Sequence, residues 1–204
     1  LQIILKMIIS KSPCRVSMCG GGTDISPYPE EHGGCVISTT INKYVTSTFE
    51  PLSGKTNVIN CREGEHKLIH AVLNRLNKTG KISVKSDILP HSGLGNSATA
   101  TVSLLGLFVD KPKNDMAELA YLIEKNDLKN KGGKQDQYAA AYGGMNVMDF
   151  TPTGVKVVTL SRYVIEPLMR GIVLFWTGEK MENIQKAFKE PTHEQAEALL
   201  DIKE

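Results

Sequence analysis

The sequence predicts an α+β fold, because strand-like and helix-like segments come in separate runs without regular βαβ alternation. Segments rich in Ile, Val, Thr and Tyr occur before residue 62 and again after residue 145, and this composition is typical of strands. Longer segments with apolar side chains three and four residues apart dominate from residue 65 to residue 142, which is helical spacing. With 204 residues, of which 41% are hydrophobic, the chain can bury one substantial core or two small ones.

The predicted strands are short and are separated by glycine, proline and polar residues. The long segment Cys35–Phe49 is dense in Val, Ile, Thr and Tyr and should form one or two strands. The stretch from Gly20 to Pro29 should be loop, because it contains three consecutive glycines and two prolines. The complete set of predicted strands is residues 3–9, 15–19, 35–49, 56–61, 81–85, 146–150, 155–160 and 171–177.

Five helices are predicted from the apolar periodicity. Residues 65–77 carry their apolar side chains at helical spacing, whereas residues 98–109 are small or apolar on all sides, which indicates a buried helix. The helix over residues 114–126 can be capped at its start by Asn114 or Asp115. The two remaining predicted helices are residues 134–142 and residues 180–203.

Composition and charge exclude several classes of protein. The 24 basic and 22 acidic side chains leave a net charge of +2, so no nucleic-acid partner is predicted. The apolar start at residues 1–9 is interrupted by Lys6 and is shorter than the ~20 residues of a membrane span, so no membrane partner is predicted. The four cysteines form no C-x-x-C pair, which argues against a zinc site and favours reduced thiols in the cytoplasm.

A glycine-rich loop at Pro90–Ala98 has the composition of a phosphate-binding turn. Gly93 and Gly95 leave backbone N–H groups free to face an anion, and the helix predicted after them would present its positive end. Further donors come from the polar side chains of Ser92, Asn96 and Ser97. The loop matches neither the P-loop pattern nor G-x-G-x-x-G. By itself, an ordinary turn before a helix explains it equally well.

Two other glycine-containing segments carry candidate chemical groups. Asp136 lies between two glycine pairs and could accept a proton from a substrate hydroxyl, or could simply be held by backbone donors at a helix start. Arg15 precedes the glycine run Gly20–Gly22 and could reach a phosphate or a carboxylate. Asp24 could accept hydrogen bonds from sugar hydroxyls; a surface turn is the alternative.

Taken in order, these three segments resemble the GHMP kinases, the family of galactokinase, homoserine kinase, mevalonate kinase and phosphomevalonate kinase. The family's phosphate loop, P-x-x-x-G-L-G-S-S-A, is matched by Pro90, Gly93, Leu94, Gly95, Ser97 and Ala98. The loop here is one residue shorter before its first glycine, and Asn96 replaces the first serine. Ser12–Gly34 and Lys131–Gly144 resemble the heptose phosphate kinase branch, so the resemblance covers roughly residues 7–178.

The resemblance implies a role for each matching residue. Asp136 would be the catalytic base toward a sugar hydroxyl, with Arg15 beside it, while Ser97 and Glu124 would hold Mg²⁺. A solvated helix face is the alternative for Glu124, and a plain loop position is the alternative for His32. ATP would bind to Pro90, Ser92, Gly93, Leu94, Gly95, Asn96, Ser97 and Ala98. The sugar pocket would be formed by Gly21, Gly22, Thr23, Asp24, His32, Gly33 and Gly34.

The resemblance also implies a domain organisation and a function. Residues 1–160 would form the ribosomal protein S5 domain 2-like N-terminal domain of the GHMP kinase fold, and residues 161–204 an incomplete ferredoxin-like C-terminal domain. No third glycine-rich motif of the family occurs before Glu204, so we expect most of the second domain to lie outside this sequence.

The implied function is an ATP-dependent sugar kinase. Its small-molecule substrate would be D-glycero-D-manno-heptose 7-phosphate, and the acceptor group would be the anomeric hydroxyl of that sugar. The alternatives are a galactokinase- or fucokinase-like sugar-1-kinase and a catalytically inactive sensor that binds sugar and nucleotide.

Overall fold

A mixed β-sheet forms the frame of this computed structural model, which describes residues 7–52, 57–62 and 64–176. In the described part of the chain the sheet has six strands. They are β1 (Ile8–Cys19), β2 (Gly34–Pro51), β3 (Asn57–Ile59), β4 (Gly80–Ser86), β5 (Met145–Thr151) and β6 (Gly154–Thr159). Strands β3 and β4 are parallel, and every other pair is antiparallel.

The long strand β2 is the spine of the sheet. Its residues 37–49 pair with β1, while residues 34–39 pair with β5 and residues 45–51 pair with β4. Since a strand has only two edges, β4 and β5 lie one after the other along the edge opposite β1. The segment predicted to form one or two strands is therefore a single strand that serves three neighbours.

Helices α1 to α6 complete the described architecture. Helix α3 contacts β1, β2 and β4 as well as α2, α4 and α5, so it is enclosed by the rest of the fold. Its residues 98–105 are all buried, as the small and apolar sequence of this helix predicts. The helices are α1 (Tyr28–Glu31), α2 (Glu65–Leu76), α3 (Asn96–Leu105), α4 (Lys113–Leu122), α5 (Gln135–Tyr142) and α6 (Arg162–Arg170).

The core has two parts, which hold the functional elements in place. The larger part packs α2 and α3 against the sheet through Val45, Phe49, Ile69, Val72, Ile82, Leu104 and Leu105. The smaller part packs α4 and α5 against β2 and β5 through Val36, Ala117, Tyr138, Met148 and Phe150. Burial of side chains of this size contributes about 1.5–3 kcal/mol each, so α3 and α5 are firmly fixed to one sheet.

The α+β prediction is confirmed, with corrections at particular segments. The predicted break between residues 9 and 15 is wrong, because β1 continues through it with a register shift between Pro13 and Arg15. The short helix α1 lies partly in the predicted loop; its prolines occupy the first turn and the position before it, where no intrahelical N–H is needed.

The largest correction concerns the end of the described chain. The predicted strand at residues 171–177 is not a strand over its described part, residues 171–176, and residues 162–170 form the unpredicted helix α6. None of the residues of α6 is buried, and Pro167 within it is a residue that sequence patterns treat as a helix breaker. The predicted helix at residues 180–203 lies outside the described residues.

Two further sequence-based expectations can be compared with the structure. The four cysteines all lie among the described residues, and none of them is in a disulfide. In the described ranges, no helix has the length and apolar character to cross a bilayer.

Candidate active site

The glycine-rich loop lies between β4 and α3 and approaches two other chain segments closely. His91, Gly93 and Gly95 have positive φ angles of 59°, 74° and 73°, which turn the backbone sharply before the helix. A Cβ atom on Gly95 would lie 3.4 Å from both Arg15 Cγ and the Asp136 carboxylate. The loop is therefore packed directly against these two side chains.

Arg15 connects the loop to α5. Its Nε and Nη2 atoms contact Asp136 Oδ1 at 2.7 and 2.5 Å, and its Nη1 donates to the carbonyl oxygen of Gly93 at 2.6 Å. The Arg15 backbone N–H also donates to Leu94 O at 3.2 Å. Both Arg15 bonds to the carboxylate go to Oδ1, so Oδ2 of Asp136 is the oxygen that faces Gly95.

The polar side chains of the loop differ in what they contact. The Ser86 hydroxyl donates to Asn96 Oδ1 at 2.6 Å. Asn96, which replaces the family's first serine, therefore connects the start of α3 to the end of β4. The Ser92 hydroxyl is enclosed and has no hydrogen-bond partner within the described part of the chain. Such a hydroxyl is able to donate to a group that enters the loop.

Ser97 and Glu124 meet at the start of α3. The Ser97 hydroxyl lies 3.4 Å from Glu124 Oε2, and Thr101, one helical turn later, donates to Glu124 Oε1 at 2.9 Å. Glu124 is only 6% exposed, so the alternative of a solvated helix face is wrong. It is the second residue of a π-helical turn, Ile123–Asp127, which continues α4. A turn of this kind changes the direction of the side chains that follow it.

Burial raises the pKa of Glu124, and the negative charge of Asp136 raises it further. Hydrogen bonds from Thr101, Gln137 and Asn130 oppose this rise by stabilising the carboxylate. The charged form of Glu124 is thus costly in this pocket unless a positive charge is nearby.

The Ser97–Glu124 pair has the donor chemistry that Mg²⁺ requires. The hydroxyl oxygen of Ser97 and the carboxylate oxygens of Glu124 are hard ligands. In phosphate-transfer sites, Mg²⁺ is bound by one or two carboxylates together with water and substrate phosphate. Within the described ranges no three His, Cys, Asp or Glu side chains cluster to hold a metal by themselves. A Mg²⁺ ion at Ser97 and Glu124 would therefore take the rest of its coordination from water and phosphate oxygens.

The glycine run after β1 is fastened to the start of β2. The Thr23 hydroxyl donates to Gly20 O at 2.7 Å and accepts from the Cys35 N–H at 3.1 Å. A Cβ on Gly20 would lie 1.9 Å from Cys35 O, and one on Gly34 would lie 2.0 Å from Thr23 O. Glycine is required at both positions because two backbone segments come this close.

Asp24 and His32 occupy different surroundings within this predicted sugar pocket. Asp24 is 3% exposed, and both of its carboxylate oxygens accept hydrogen bonds from protein N–H groups. His32 follows α1, and its ring lies 5.0 Å from the ring of Tyr28. The roles of both residues in sugar binding stay predictions, as do those of Gly21, Gly22, Thr23, Gly33 and Gly34.

Three residues of this region make contacts that the sequence does not indicate. Thr101 and Gln135 contact Glu124 and Asp24 respectively, yet each is an ordinary polar residue in a helix. Only the four-residue spacing of Thr101 from Ser97 could have indicated a shared helix face. Gly133 lies against Asp24, which no local pattern reveals.

Comparison with known proteins gives a consistent result. The family model for the GHMP kinases N terminal domain matches residues 65–144, which include the phosphate loop, Glu124 and Asp136. The crystal structure of a D-glycero-D-manno-heptose 1-phosphate kinase from Bacteriodes thetaiotaomicron is similar, with 32% identity and a TM-score of 0.78. The match covers 96% of this chain and 72% of that one. The chain belongs to the GHMP kinase family. Its predicted GHMP kinase fold is confirmed by the same similarity.

Other GHMP kinase relatives are longer than this chain. The D-glycero-alpha-D-manno-heptose 7-phosphate kinase of Campylobacter jejuni is 29% identical over 207 residues. That match covers 85% of this chain but 60% of the relative, so the chain spans about three fifths of its length. A putative sugar kinase structure from Campylobacter jejuni is 28% identical, with a TM-score of 0.66, and the match covers 81% of this chain and 60% of that one. The predicted domain boundary after residue 160 stays a prediction.

Proposed function

We propose that the protein containing this chain transfers the γ-phosphoryl group of ATP to a sugar hydroxyl, the anomeric hydroxyl of D-glycero-D-manno-heptose 7-phosphate. The observation that carries this proposal is the contact of the Arg15–Asp136 pair with the glycine loop at Gly93–Gly95. A carboxylate base and a phosphate-binding loop must be neighbours if a hydroxyl is to attack a bound phosphate.

Asp136 is the proposed general base. Its Oδ1 is occupied by Arg15, and its Oδ2 faces the loop, so Oδ2 accepts the proton of the attacking hydroxyl. The hydroxyl oxygen then bonds to the γ-phosphorus while the bond from that phosphorus to the bridging oxygen of ADP breaks. Arg15 orients the base, and its positive charge favours both the carboxylate and the transferring phosphoryl group.

The nucleotide phosphates lie on the loop and at the start of α3. Backbone N–H groups at the N-terminus of a helix have no partner within the helix and carry partial positive charge, which favours a phosphate there. The Ser92 hydroxyl adds a donor without a competing protein partner in the described ranges. Mg²⁺, which Ser97 and Glu124 would hold, supplies neutralisation of phosphate charge when bound.

The sugar is proposed from the resemblance and from the names of the relatives. The Campylobacter jejuni relative is a heptose 7-phosphate kinase and the Bacteriodes thetaiotaomicron structure is a heptose 1-phosphate kinase. These names share the heptose and differ in the position of its phosphate. A cytoplasmic location stays a prediction.

The test is a phosphorylation screen with the full-length protein, ATP and Mg²⁺. The acceptors are heptose 7-phosphate, heptose 1-phosphate, mannose, fucose and galactose, and products are identified by ³¹P NMR. We expect heptose 7-phosphate to give a bisphosphate with a new anomeric phosphate signal, and Asp136→Asn to form it about 10²–10⁴-fold more slowly. Product from galactose or fucose alone would favour a sugar-1-kinase of that type. No product from any acceptor, with ATP binding retained, would favour the inactive sensor.

A further inference from the structure

We infer that Asp24 is a positioning residue, which holds the start of α5 and thereby the base Asp136 in place. This inference rests on the proposed function, because it assigns Asp24 a role in the same reaction. It differs from the direct sugar binding that the sequence suggests for Asp24.

Two of the three hydrogen bonds that the Asp24 carboxylate accepts come from Gln135, the residue that precedes the base. Asp24 Oδ2 accepts from the backbone N–H of Gln135 at 2.9 Å, and Oδ1 accepts from the Gln135 side-chain Nε2 at 3.1 Å. Oδ1 also accepts from the Gly22 N–H at 3.2 Å. One carboxylate thus connects the glycine run after β1 to the first residue of α5, across 111 positions of the sequence.

Gly133 makes this connection possible. A Cβ atom on Gly133 would lie 2.0 Å from Asp24 Oδ2 and 2.9 Å from Asp24 O, so any larger residue must displace the carboxylate. Its neighbour Gly132 is different, because a Cβ there would meet nothing within 4 Å. Neither glycine has the positive φ that would penalise alanine by itself. The two positions are therefore a matched pair for testing the contact.

The hydrogen bonds of the Asp24 carboxylate are better suited to fixing the backbone of Gln135 than to binding a sugar. A buried carboxylate that already accepts from three N–H donors has little capacity left for further hydroxyls. Asp136 directly follows Gln135, so a shift of the Gln135 N–H moves the base with it. Misplacing a reacting group by about 1 Å lowers a rate by about 100-fold. The hydrogen bonds between Asp24 and Gln135 are therefore important for catalysis.

The experiment compares Gly133→Ala with Gly132→Ala in the full-length protein. We expect Gly133→Ala to lower kcat about 10- to 100-fold, by the sensitivity of rates to geometry, while the sugar KM and Kd change less than about twofold. We expect Gly132→Ala to match wild type in all three. Amide hydrogen exchange at residues 135–138 should be faster in Gly133→Ala only, whether or not product forms.

Asp24→Asn is the second variant, because it keeps the shape of the side chain while placing an amide NH₂ against a donor. It should reproduce the kcat loss, the retained sugar affinity and the faster exchange. A raised sugar Kd with retained kcat would overturn the inference and make Asp24 a sugar ligand. Unchanged exchange and kcat in both variants would overturn it as well. Failure of the proposed function is seen separately, as an inactive wild type.

Discussion

The substitution Arg15→Lys tests how the base is held, because it keeps the charge and removes the planar fork. Arg15 uses three nitrogens at once: two contact Asp136 Oδ1 at 2.7 and 2.5 Å, and the third donates to Gly93 O at 2.6 Å. A lysine ammonium is a single point and cannot reach the carboxylate and the loop carbonyl together with the same geometry.

The expected cost follows from the contacts that are lost. Hydrogen bonds that involve a charged group contribute about 1.5–3 kcal/mol each, and lysine would forfeit one or two of them. The side chains of Arg15 and Asp136 are 11% and 28% exposed, so water replaces part of the loss. We expect the free energy of unfolding to fall by about 2–3 kcal/mol and kcat to fall by about 100-fold as the base loses its position.

The assay is urea unfolding of the full-length protein, combined with kcat at saturating ATP and sugar. The matched control is Arg162→Lys, because Arg162 pairs with Glu166 at 3.0 Å on a surface where the two side chains are 87% and 51% exposed. Exposed pairs of this spacing contribute about 0.3–0.5 kcal/mol at most, so this control should resemble wild type. Equal unfolding midpoints and equal kcat for the two variants would refute the role given to the Arg15 fork.

Three further predictions concern the same site. Asp136→Asn should lower kcat by about 10²–10⁴-fold, the usual contribution of a general base. Its ATP affinity, measured by calorimetry, should be unchanged, and normal turnover would contradict the role of Asp136 as the base. Ser97→Ala should raise the Mg²⁺ concentration for half-maximal rate, and an unchanged Mg²⁺ titration would remove Ser97 from the site. Burial and then the charge of Asp136 raise the pKa of Asp24, so the folded protein binds this proton more tightly than the unfolded chain. Asp24 therefore contributes a decrease in the free energy of unfolding as the pH rises above about 3.9. In urea unfolding from pH 4 to pH 7, the free energy of unfolding should decrease less with pH, or increase more, for Asp24→Asn than for wild type; an equal slope would refute this.

Local features of the structure were largely predictable from the sequence. The apolar spacing in α2, the small and apolar residues of α3 and the β-branched composition of β2 each depend on neighbours in the chain, and each element lies where its pattern indicates. The glycine loop follows the same rule, because Gly93 and Gly95 adopt the positive φ angles that glycine allows. Helix α6 is the main exception, since Pro167 obscures its pattern.

The contacts within the site were decided by tertiary packing. Arg15 and Asp136 are 121 residues apart in the sequence, and Asp24 and Gln135 are 111 residues apart. The resemblance to a family implied the first pair, but no periodicity or spacing indicated the second. The burial of Glu124 was likewise not indicated by periodicity or spacing, because it depends on the π-helical turn and on α3 beside it.

The physical reason is the range of the forces involved. Backbone preferences and apolar periodicity act between residues a few positions apart, so the sequence by itself determined the α+β class, the buried helix and the turn that can cradle a phosphate. Which carboxylate is solvated, which is buried and which accepts the N–H of a distant residue depends on how the elements pack. Only the tertiary structure decided that Asp24 contacts the start of the helix that carries the base.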